Sequence, residues 1–127
     1  MENDKKEDKL DVLFRMQAGL DAYIRDKRDL HFTKSEWVCK KAQALMVELG
    51  EVVEEAHYKW WKNDTPVDDA KLKEEIVDVL HFFLGMAIDS GMTSDELFDI
   101  YMKKNKENYD RQNGLSTKHG YELKDKK

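Results

Sequence analysis

The sequence predicts an all-α protein with a four-helix-bundle-like core and a long second helix. Apolar residues recur at helical spacing in four segments, and no segment shows the regular polar and apolar alternation that is typical of strands. Two Thr-initiated capping boxes mark the starts of helices. A chain of 127 residues is of a size for one domain, and its single proline lies in the clearest turn.

The first helix is predicted over residues 10–25. Leu13, Leu20 and Ile24 recur there at helical spacing, and the polar residue Gln17 lies within the same stripe. A polar connection follows this segment. Because a buried amide needs hydrogen-bond partners, Gln17 is either a satisfied core residue or part of a binding site.

The second helix is predicted to begin at a capping box. Thr33 can accept a hydrogen bond from the backbone there, and Glu36 can reach back to the start of the helix. The pattern continues to about Trp61, which predicts a helix of roughly 28 residues and about 40 Å. The turn around Pro66 separates this helix from the next.

Two further helices follow the turn. The third is predicted over residues 70–89 and is stopped at Gly91. A second capping box, from Thr93 to Glu96, begins a fourth helix that is predicted to run to Gln112.

One domain is predicted for residues 1–127, and its polar ends, residues 1–9 and 113–127, are expected to be mobile. The single cysteine, Cys39, excludes a disulfide framework within one chain and fits a reducing compartment. No apolar stretch approaches the roughly 20 residues that span a bilayer, and the charged start shows no secretory signal. We therefore expect a cytoplasmic protein without a membrane partner.

The charge of the chain is distributed unevenly. With 22 basic and 27 acidic residues the net charge is −5, which argues against binding to long nucleic acid through its phosphates. Residues 1–100 contain 14 basic and 23 acidic residues, a net charge of −9, whereas residues 101–127 contain 8 and 4, a net charge of +4. Solvated helix faces can produce such a difference. Alternatively, an acidic body binds a cation and a basic tail binds an anion.

Carboxylates lie along the edges of two predicted apolar stripes. At about 100° per residue, Glu48, Glu51 and Glu55 fall within about 40° of one another on the second helix. Glu75 and Asp78 lie one turn apart on the third helix. Antiparallel packing of these two helices would bring the two sets of carboxylates together.

Such a cluster predicts a divalent metal site. Neighbouring carboxylates raise one another's pKa, so they cannot all remain ionised without compensation. Oxygen ligands without His or Cys favour Mg²⁺, with Mn²⁺ as the alternative, over zinc. The ExxE spacing is also common on exposed helices, but two copies on consecutive helices favour the metal site.

These motifs resemble a known family. Glu48-x-x-Glu51 followed by Glu75-x-x-Asp78 is similar to the ExxE…ExxD signature of the all-α NTP pyrophosphatases, which include MazG-type enzymes and the dimeric dUTPases. The narrower resemblance is to the dimeric dUTPases and extends over residues 10–121. It is carried by Gln17 with Leu20-Asp21, by Tyr58 to Asn63, by Asp78 to Phe82, and by Tyr101, Lys104, Asn105, Asn108, Arg111 and Gln112 with Gly120-Tyr121.

The resemblance implies Mg²⁺-dependent hydrolysis of dUTP, and also of dUDP, to dUMP, with pyrophosphate released from dUTP. The metal would be held by Glu48, Glu51, Glu75 and Asp78. A water activated by the metal would attack the α-phosphorus, and Glu48 would take its proton. The resemblance also implies a homodimer.

The same resemblance assigns the nucleotide contacts. Gln17, Trp61 and His81 would shape the uracil pocket. The phosphate-binding residues would be Lys59, Lys62, Lys104, Asn108, Arg111 and Tyr121. Judged from the residues alone, a core histidine with satisfied hydrogen bonds is favoured for His81 over a contact with the base or with the metal ligands.

Two other functions remain open at this point. Hydrolysis of dCTP, or a broader MazG-type NTP pyrophosphatase activity, would use the same metal chemistry on another base. A non-catalytic acidic helical interaction protein is the alternative of a different class. An interaction protein would have no reason to keep Lys104, Asn108 and Arg111 in register along one helix face.

Overall fold

The computed structural model describes residues 6–124, and in them the chain is all-α without strands, as predicted. The four helices are α1 (Lys9–Arg28), α2 (Lys34–Glu55), α3 (Asp69–Asp89) and α4 (Ser94–Gln112). The chain divides into two compact units, Met1–Thr93 with α1 to α3 and Ser94–Lys127 with α4. The assignment of residues 1–127 to a single domain stays a prediction.

Side chains satisfy backbone groups at the starts of α1 and α2. The Asp8 carboxylate accepts from the Asp11 backbone N–H at 2.9 Å, and the Asp11 carboxylate accepts from the Asp8 N–H at 3.0 Å. At α2, the Thr33 hydroxyl oxygen accepts from the Glu36 N–H at 3.3 Å, as predicted. The Glu36 carboxylate accepts from the Thr33 hydroxyl at 3.0 Å, which holds the two side chains together.

The second helix is shorter than predicted. It contains 22 residues and ends at Glu55, not at Trp61. The chain leaves the helix because His57 takes a left-handed conformation with φ of 57°. The His57 ring donates from Nδ1 to the Thr65 carbonyl at 3.0 Å, which favours the turn over another helical turn. Trp61 therefore lies in the connection between α2 and α3.

Helices α2 and α3 pack against each other antiparallel. Lys41 of α2 lies beside Gly85 of α3, whose Cβ position is 2.8 Å from Lys41 Nζ. Where α2 ends and α3 begins, Lys71 Nζ lies 3.9 Å from the Glu55 carboxylate. Residue numbers thus rise along α2 as they fall along the facing α3. This antiparallel direction is the one that the predicted carboxylate cluster requires.

Helix α1 runs parallel to α3. Gln17 contacts His81 at 2.8 Å, and two turns later Arg25 pairs with Asp89 at 2.5 Å, each pair separated by 64 positions in the chain. A constant offset means that both helices advance in the same direction. Because α2 is antiparallel to α3, it is antiparallel to α1 as well.

Apolar burial within the described part of the chain is small. The buried apolar side chains there are Phe14, Leu84 and Ala87, all on α1 and α3. No single helix among residues 6–124 is long and apolar enough to cross a membrane; α3 and α4 reach the required length and composition only when taken together.

In the second unit, the segment after α4 lies against the end of that helix. Glu107 accepts from Arg111 Nε at 3.0 Å and from the Ser116 hydroxyl at 2.5 Å, and these bonds lower the pKa of Glu107, the Ser116 bond most. The Leu123 N–H donates to the Gln112 carbonyl at 2.9 Å. The expected mobility of the chain ends stays a prediction, and residues 1–5 and 125–127 lie outside the described residues.

Candidate functional site: a carboxylate cluster and an adjoining cavity

Three carboxylates converge between α2 and α3. One oxygen each of Glu48, Glu75 and Asp78 lies within 4.8 Å of the others. Glu48 and Glu75 are half-buried, whereas Asp78 is exposed. The antiparallel packing therefore brings together three of the four residues that the sequence predicts as metal ligands.

The carboxylates of the cluster repel one another, and the pKa of Glu75 is raised. Partial desolvation raises the pKa of Glu75 most, followed by the negative charges of Asp78, Glu51, Glu48 and Glu55 in that order. The predicted ligand Glu51 thus lies near enough to act on Glu75, although none of its oxygens belongs to the three-oxygen cluster.

The donor set fits a divalent cation. Carboxylate oxygens are the preferred ligands of hard cations such as Mg²⁺, and these carboxylates are held by two packed helices. A bound cation would also offset the mutual repulsion that raises the pKa of Glu75. The acidic cluster predicted from the spacing is present.

A cavity of about 590 Å³ adjoins the cluster and lies between α1, α2 and α3. Glu48 and Asp78 belong to both the cluster and the cavity wall. Its volume is in the range of small-molecule binding sites. Its other polar and aromatic lining residues include Gln17, Asp21, Trp37, Lys41, His81 and Phe82.

A hydrogen-bonded chain that is buried at Gln17 and Asp21 and exposed at His81 crosses one wall of the cavity. His81 Nδ1 and Gln17 Oε1 are 2.8 Å apart, and Gln17 Nε2 donates to Asp21 Oδ1 at 3.1 Å. Lys41 Nζ lies 2.7 Å from the same Asp21 oxygen. Gln17 is 6% exposed and Asp21 is 7% exposed. Gln17 is therefore both a satisfied buried residue and a cavity residue.

Trp37 and Lys41 line the cavity although neither was predicted as a site residue. Trp37 lines the cavity, and the Arg25 guanidinium stacks over its ring at 3.9 Å. The available signal was the four-residue spacing of Gln17, Asp21 and Arg25, which places all three on one face of α1. That signal shows a polar face but not which residues of α2 meet it.

The structure does not bring Trp61 to this cavity. Trp61 is 61% exposed in the α2–α3 connection, where its ring lies edge-on to Tyr58 at 6.0 Å and to Trp60 at 5.4 Å. Lys59 and Lys62 line a separate cavity of about 130 Å³ in the same connection. These three residues therefore do not line the cavity between α1, α2 and α3, and their contacts with a nucleotide stay a prediction.

The remaining predicted phosphate contacts belong to the second unit. Lys104, Asn108 and Arg111 recur along one face of α4. The Arg111 guanidinium lies 5.5 Å from the Tyr121 ring, so these two residues of the predicted set are neighbours. Arg111 also pairs with Glu107 at 3.0 Å, and a phosphate would have to compete with that carboxylate.

Comparison with known proteins places this geometry in context. A family model described as dUTPase matches residues 9–96, which contain the cluster and the cavity. A dCTP pyrophosphatase of Enterobacteria phage T4 is 33% identical over 111 residues, 86% of this chain and 65% of that protein. A dCTP pyrophosphatase of Enterobacteria phage LZ5 is 31% identical over 121 residues, 87% of this chain and 70% of that protein.

The chain thus spans about two thirds of the length of these two relatives. A DNA replication protein of Enterobacteria phage T4 is 32% identical over 105 residues, 81% of this chain but 27% of that longer protein. No solved structure gave a significant match.

Proposed function

The chain belongs to the dUTPase family, and on that premise we propose that it hydrolyses a pyrimidine deoxynucleoside triphosphate, dUTP or dCTP, to the monophosphate and pyrophosphate. The observation that carries this proposal is the convergence of Glu48, Glu75 and Asp78 beside the cavity between α1, α2 and α3. Carboxylates that could hold a metal beside a cavity of this size suit metal-assisted hydrolysis of a nucleotide phosphoanhydride.

The residues of the cluster have distinct proposed tasks. Glu48, Glu75 and Asp78 would hold a divalent cation, Mg²⁺ or Mn²⁺, with Glu51 beside them. When bound, that cation supplies positive charge to the phosphate oxygens and makes water easier to deprotonate. The Glu48 carboxylate, which lines the cavity, would accept the proton of the water that attacks the α-phosphorus.

The cavity would bind the base. Gln17 and His81 offer hydrogen-bonding groups there, and Trp37 and Phe82 offer ring surfaces for stacking. Trp61 lies outside the cavity, so its predicted contact with the base has no support from this chain's own geometry. The proposed phosphate contacts remain Lys59, Lys62, Lys104, Asn108, Arg111 and Tyr121.

Two bases have support from different comparisons. Membership of the dUTPase family favours dUTP, whereas the two phage relatives, both dCTP pyrophosphatases, favour dCTP. The resemblance to the dimeric dUTPases adds dUDP. Both pyrimidines present adjacent donor and acceptor atoms on the edge that an amide and an imidazole can bind. The metal chemistry is the same for the two substrates.

We also propose that the protein acts as a homodimer. A groove of about 300 Å³ between α1 and α3 is lined by six apolar residues together with Gln17 and His81. Among these, Met16 is 60% exposed and Val77 is 50% exposed. Contiguous apolar surface of this kind favours coverage by a partner, and a second copy of the chain is the simplest partner.

A nucleotide panel with product identification tests the proposed activity. With Mg²⁺, the protein should convert dUTP or dCTP to dUMP or dCMP plus pyrophosphate, and chelation should stop the reaction. Asp78→Asn should lower kcat/KM by roughly a hundredfold or more, because loss of a ligand costs at least as much as loss of a supporting residue. Glu74→Gln, four positions before Asp78 and outside the cluster, is the control.

Two results of the nucleotide panel would contradict parts of this proposal. If no nucleotide is hydrolysed with Mg²⁺ or Mn²⁺ while the protein remains folded, the alternative of a non-catalytic acidic interaction protein would be preferred. If dCTP is hydrolysed and dUTP is untouched, the chemistry stands and the uracil assignment fails.

A further inference from the structure

The hydrogen-bonded chain Lys41–Asp21–Gln17–His81 is buried at Asp21 and Gln17 and ends at the exposed His81. The chemistry of its groups determines its direction. A carboxylate accepts hydrogen bonds and does not donate them, so the Gln17 atom 3.1 Å from Asp21 must be the amide nitrogen. The amide oxygen then faces His81 at 2.8 Å. The opposite orientation would place the Gln17 oxygen against the Asp21 carboxylate, two acceptors without a proton between them.

The orientation of Gln17 in turn selects the proton position on His81. Since Gln17 Oε1 can only accept, His81 must donate from Nδ1. In the neutral ring the second nitrogen, Nε2, is then a bare acceptor. His81 lines the cavity, so the wall presents one hydrogen-bonding pattern instead of a mixture of two.

Lys41 forms an ion pair with Asp21. Asp21 is buried, its Oδ2 has no hydrogen-bond partner, and an uncompensated buried charge is unfavourable. Lys41 Nζ supplies the compensation at 2.7 Å, with only 11% of its side chain exposed. Gly85 leaves room for this pair, since a Cβ there would lie 2.8 Å from Lys41 Nζ and 3.2 Å from Asp21 Oδ2.

We infer that Asp21 and Lys41 form a positioning pair that determines base discrimination. They act through Gln17 and His81 by holding one amide orientation and one imidazole tautomer at the cavity wall. The effect on base discrimination rests on the proposed function, whereas the effect on the His81 tautomer can be measured on the protein without any nucleotide.

The first test is the tautomer itself. Two-bond ¹⁵N–¹H correlation spectra of the full chain, with the His81 signals assigned by comparison with His81→Gln, report which ring nitrogen carries the proton. The expected result is a predominantly Nδ1–H ring in the original protein and a shift toward Nε2–H in Asp21→Asn. A predominantly Nε2–H ring in the original protein would overturn the inference.

The second test is the ratio of kcat/KM values for dCTP and dUTP. An asparagine at position 21 can donate or accept a hydrogen bond, so both orientations of the Gln17 amide become possible. The ratio of kcat/KM values should then move toward one by about tenfold, which corresponds to the net contribution of one hydrogen bond. Lys41→Met should act in the same direction, and Lys41→Arg should restore most of the ratio. Asp26→Asn, an exposed acidic position on the same helix, is the matched control.

The outcomes separate the two proposals. An unchanged ratio together with an unchanged tautomer in folded Asp21→Asn and Lys41→Met would assign the pair a purely structural role and overturn the inference. If Asp21→Asn does not fold, Lys41→Met and Lys41→Arg decide the matter. If the original protein hydrolyses no nucleotide, the proposed function fails, while the spectra still show whether Asp21 governs His81.

Discussion

Glu75 shows how an individual residue is placed under electrostatic strain at the site. Its pKa is raised above the ordinary value of 4.5, first by partial desolvation and then by the carboxylates around it. The folded protein therefore holds the Glu75 proton more tightly than the unfolded chain does. By linkage, the contribution of Glu75 to the free energy of unfolding is greatest below pH 4.5. It declines as the pH rises through the raised pKa of Glu75.

Glu75→Gln should stabilise the metal-free protein and disable the site. The amide has no charge to desolvate or repel, so the melting temperature at pH 7 in a chelator should exceed that of the original protein. The stability contribution lost by the original protein between pH 4.5 and the raised pKa should be absent in the variant. Melting temperatures measured at about five pH values between pH 4 and 8 test both the higher stability at pH 7 and the missing pH dependence.

Addition of Mg²⁺ supplies the complementary observation. It should raise the melting temperature of the original protein and have little effect on Glu75→Gln, whose hydrolysis rate should fall by roughly a hundredfold or more. Glu74→Gln removes the same charge from the preceding, exposed position and should leave the response to Mg²⁺ intact. A lower melting temperature for metal-free Glu75→Gln would contradict the electrostatic account.

At the scale of helices, one face of α1 meets one face of α3 over three successive turns. The α1 residues of this face recur every four positions: Gln17, Asp21 and Arg25. The α3 residues that they meet lie 64 positions later: His81, Gly85 and Asp89. The middle residue of the α3 face is Gly85. Because it has no side chain, Lys41 of α2 can reach between α1 and α3.

Gly85→Ala should separate Lys41 from Asp21 and destabilise the fold. Alanine favours a helix by about 1 kcal/mol over glycine, but loss of one partner of a buried ion pair costs about 3–5 kcal/mol. The new Cβ would stand 2.8 Å from Lys41 Nζ and force it to move. We expect a net loss of about 2–4 kcal/mol, measured by urea unfolding.

Gly19→Ala on α1 is the matched control for this substitution. No atom lies within 4 Å of the Cβ position of residue 19, so helix propensity alone should act there. That variant should be more stable by about 1 kcal/mol. If both alanine variants were stabilised equally, the close approach of Lys41 would have no energetic consequence.

At the scale of the whole molecule, the described residues bury little apolar surface. Phe14, Leu84 and Ala87 are buried, while the apolar groove between α1 and α3 stays open. Hydrophobic burial is the main favourable term in folding and in association. A second copy that covers this groove would complete the hydrophobic core.

The chain should therefore sediment with twice its mass of 15.0 kDa. Met16→Glu, which places a charge in the groove at a position 60% exposed within one chain, should shift the protein toward the monomer. Leu115→Glu, at a residue 75% exposed outside the groove, is the control. A dimer of unchanged stability in Met16→Glu would place the subunit interface elsewhere.

Much of the fold and part of the site could be predicted from local pattern. Helical spacing predicted four helices, because side chains every three to four positions share a face whatever the helix packs against. The end of α2 was predicted six residues too late, at Trp61 instead of Glu55. The apolar spacing continues past His57, but the backbone leaves the helical conformation there. The turn there depends on a hydrogen bond to Thr65, which the spacing does not show.

The sequence by itself determined the helices, the family resemblance and the carboxylate types that suit a hard cation. The tertiary structure decided which of these residues meet: Glu48 with Glu75 and Asp78, and Lys41 with Asp21 through the space beside Gly85. The physical reason is that periodicity specifies a face of a helix, whereas contact also needs the direction and register of the neighbouring helix. Those are set by packing over the whole unit, so they cannot be read from any one segment.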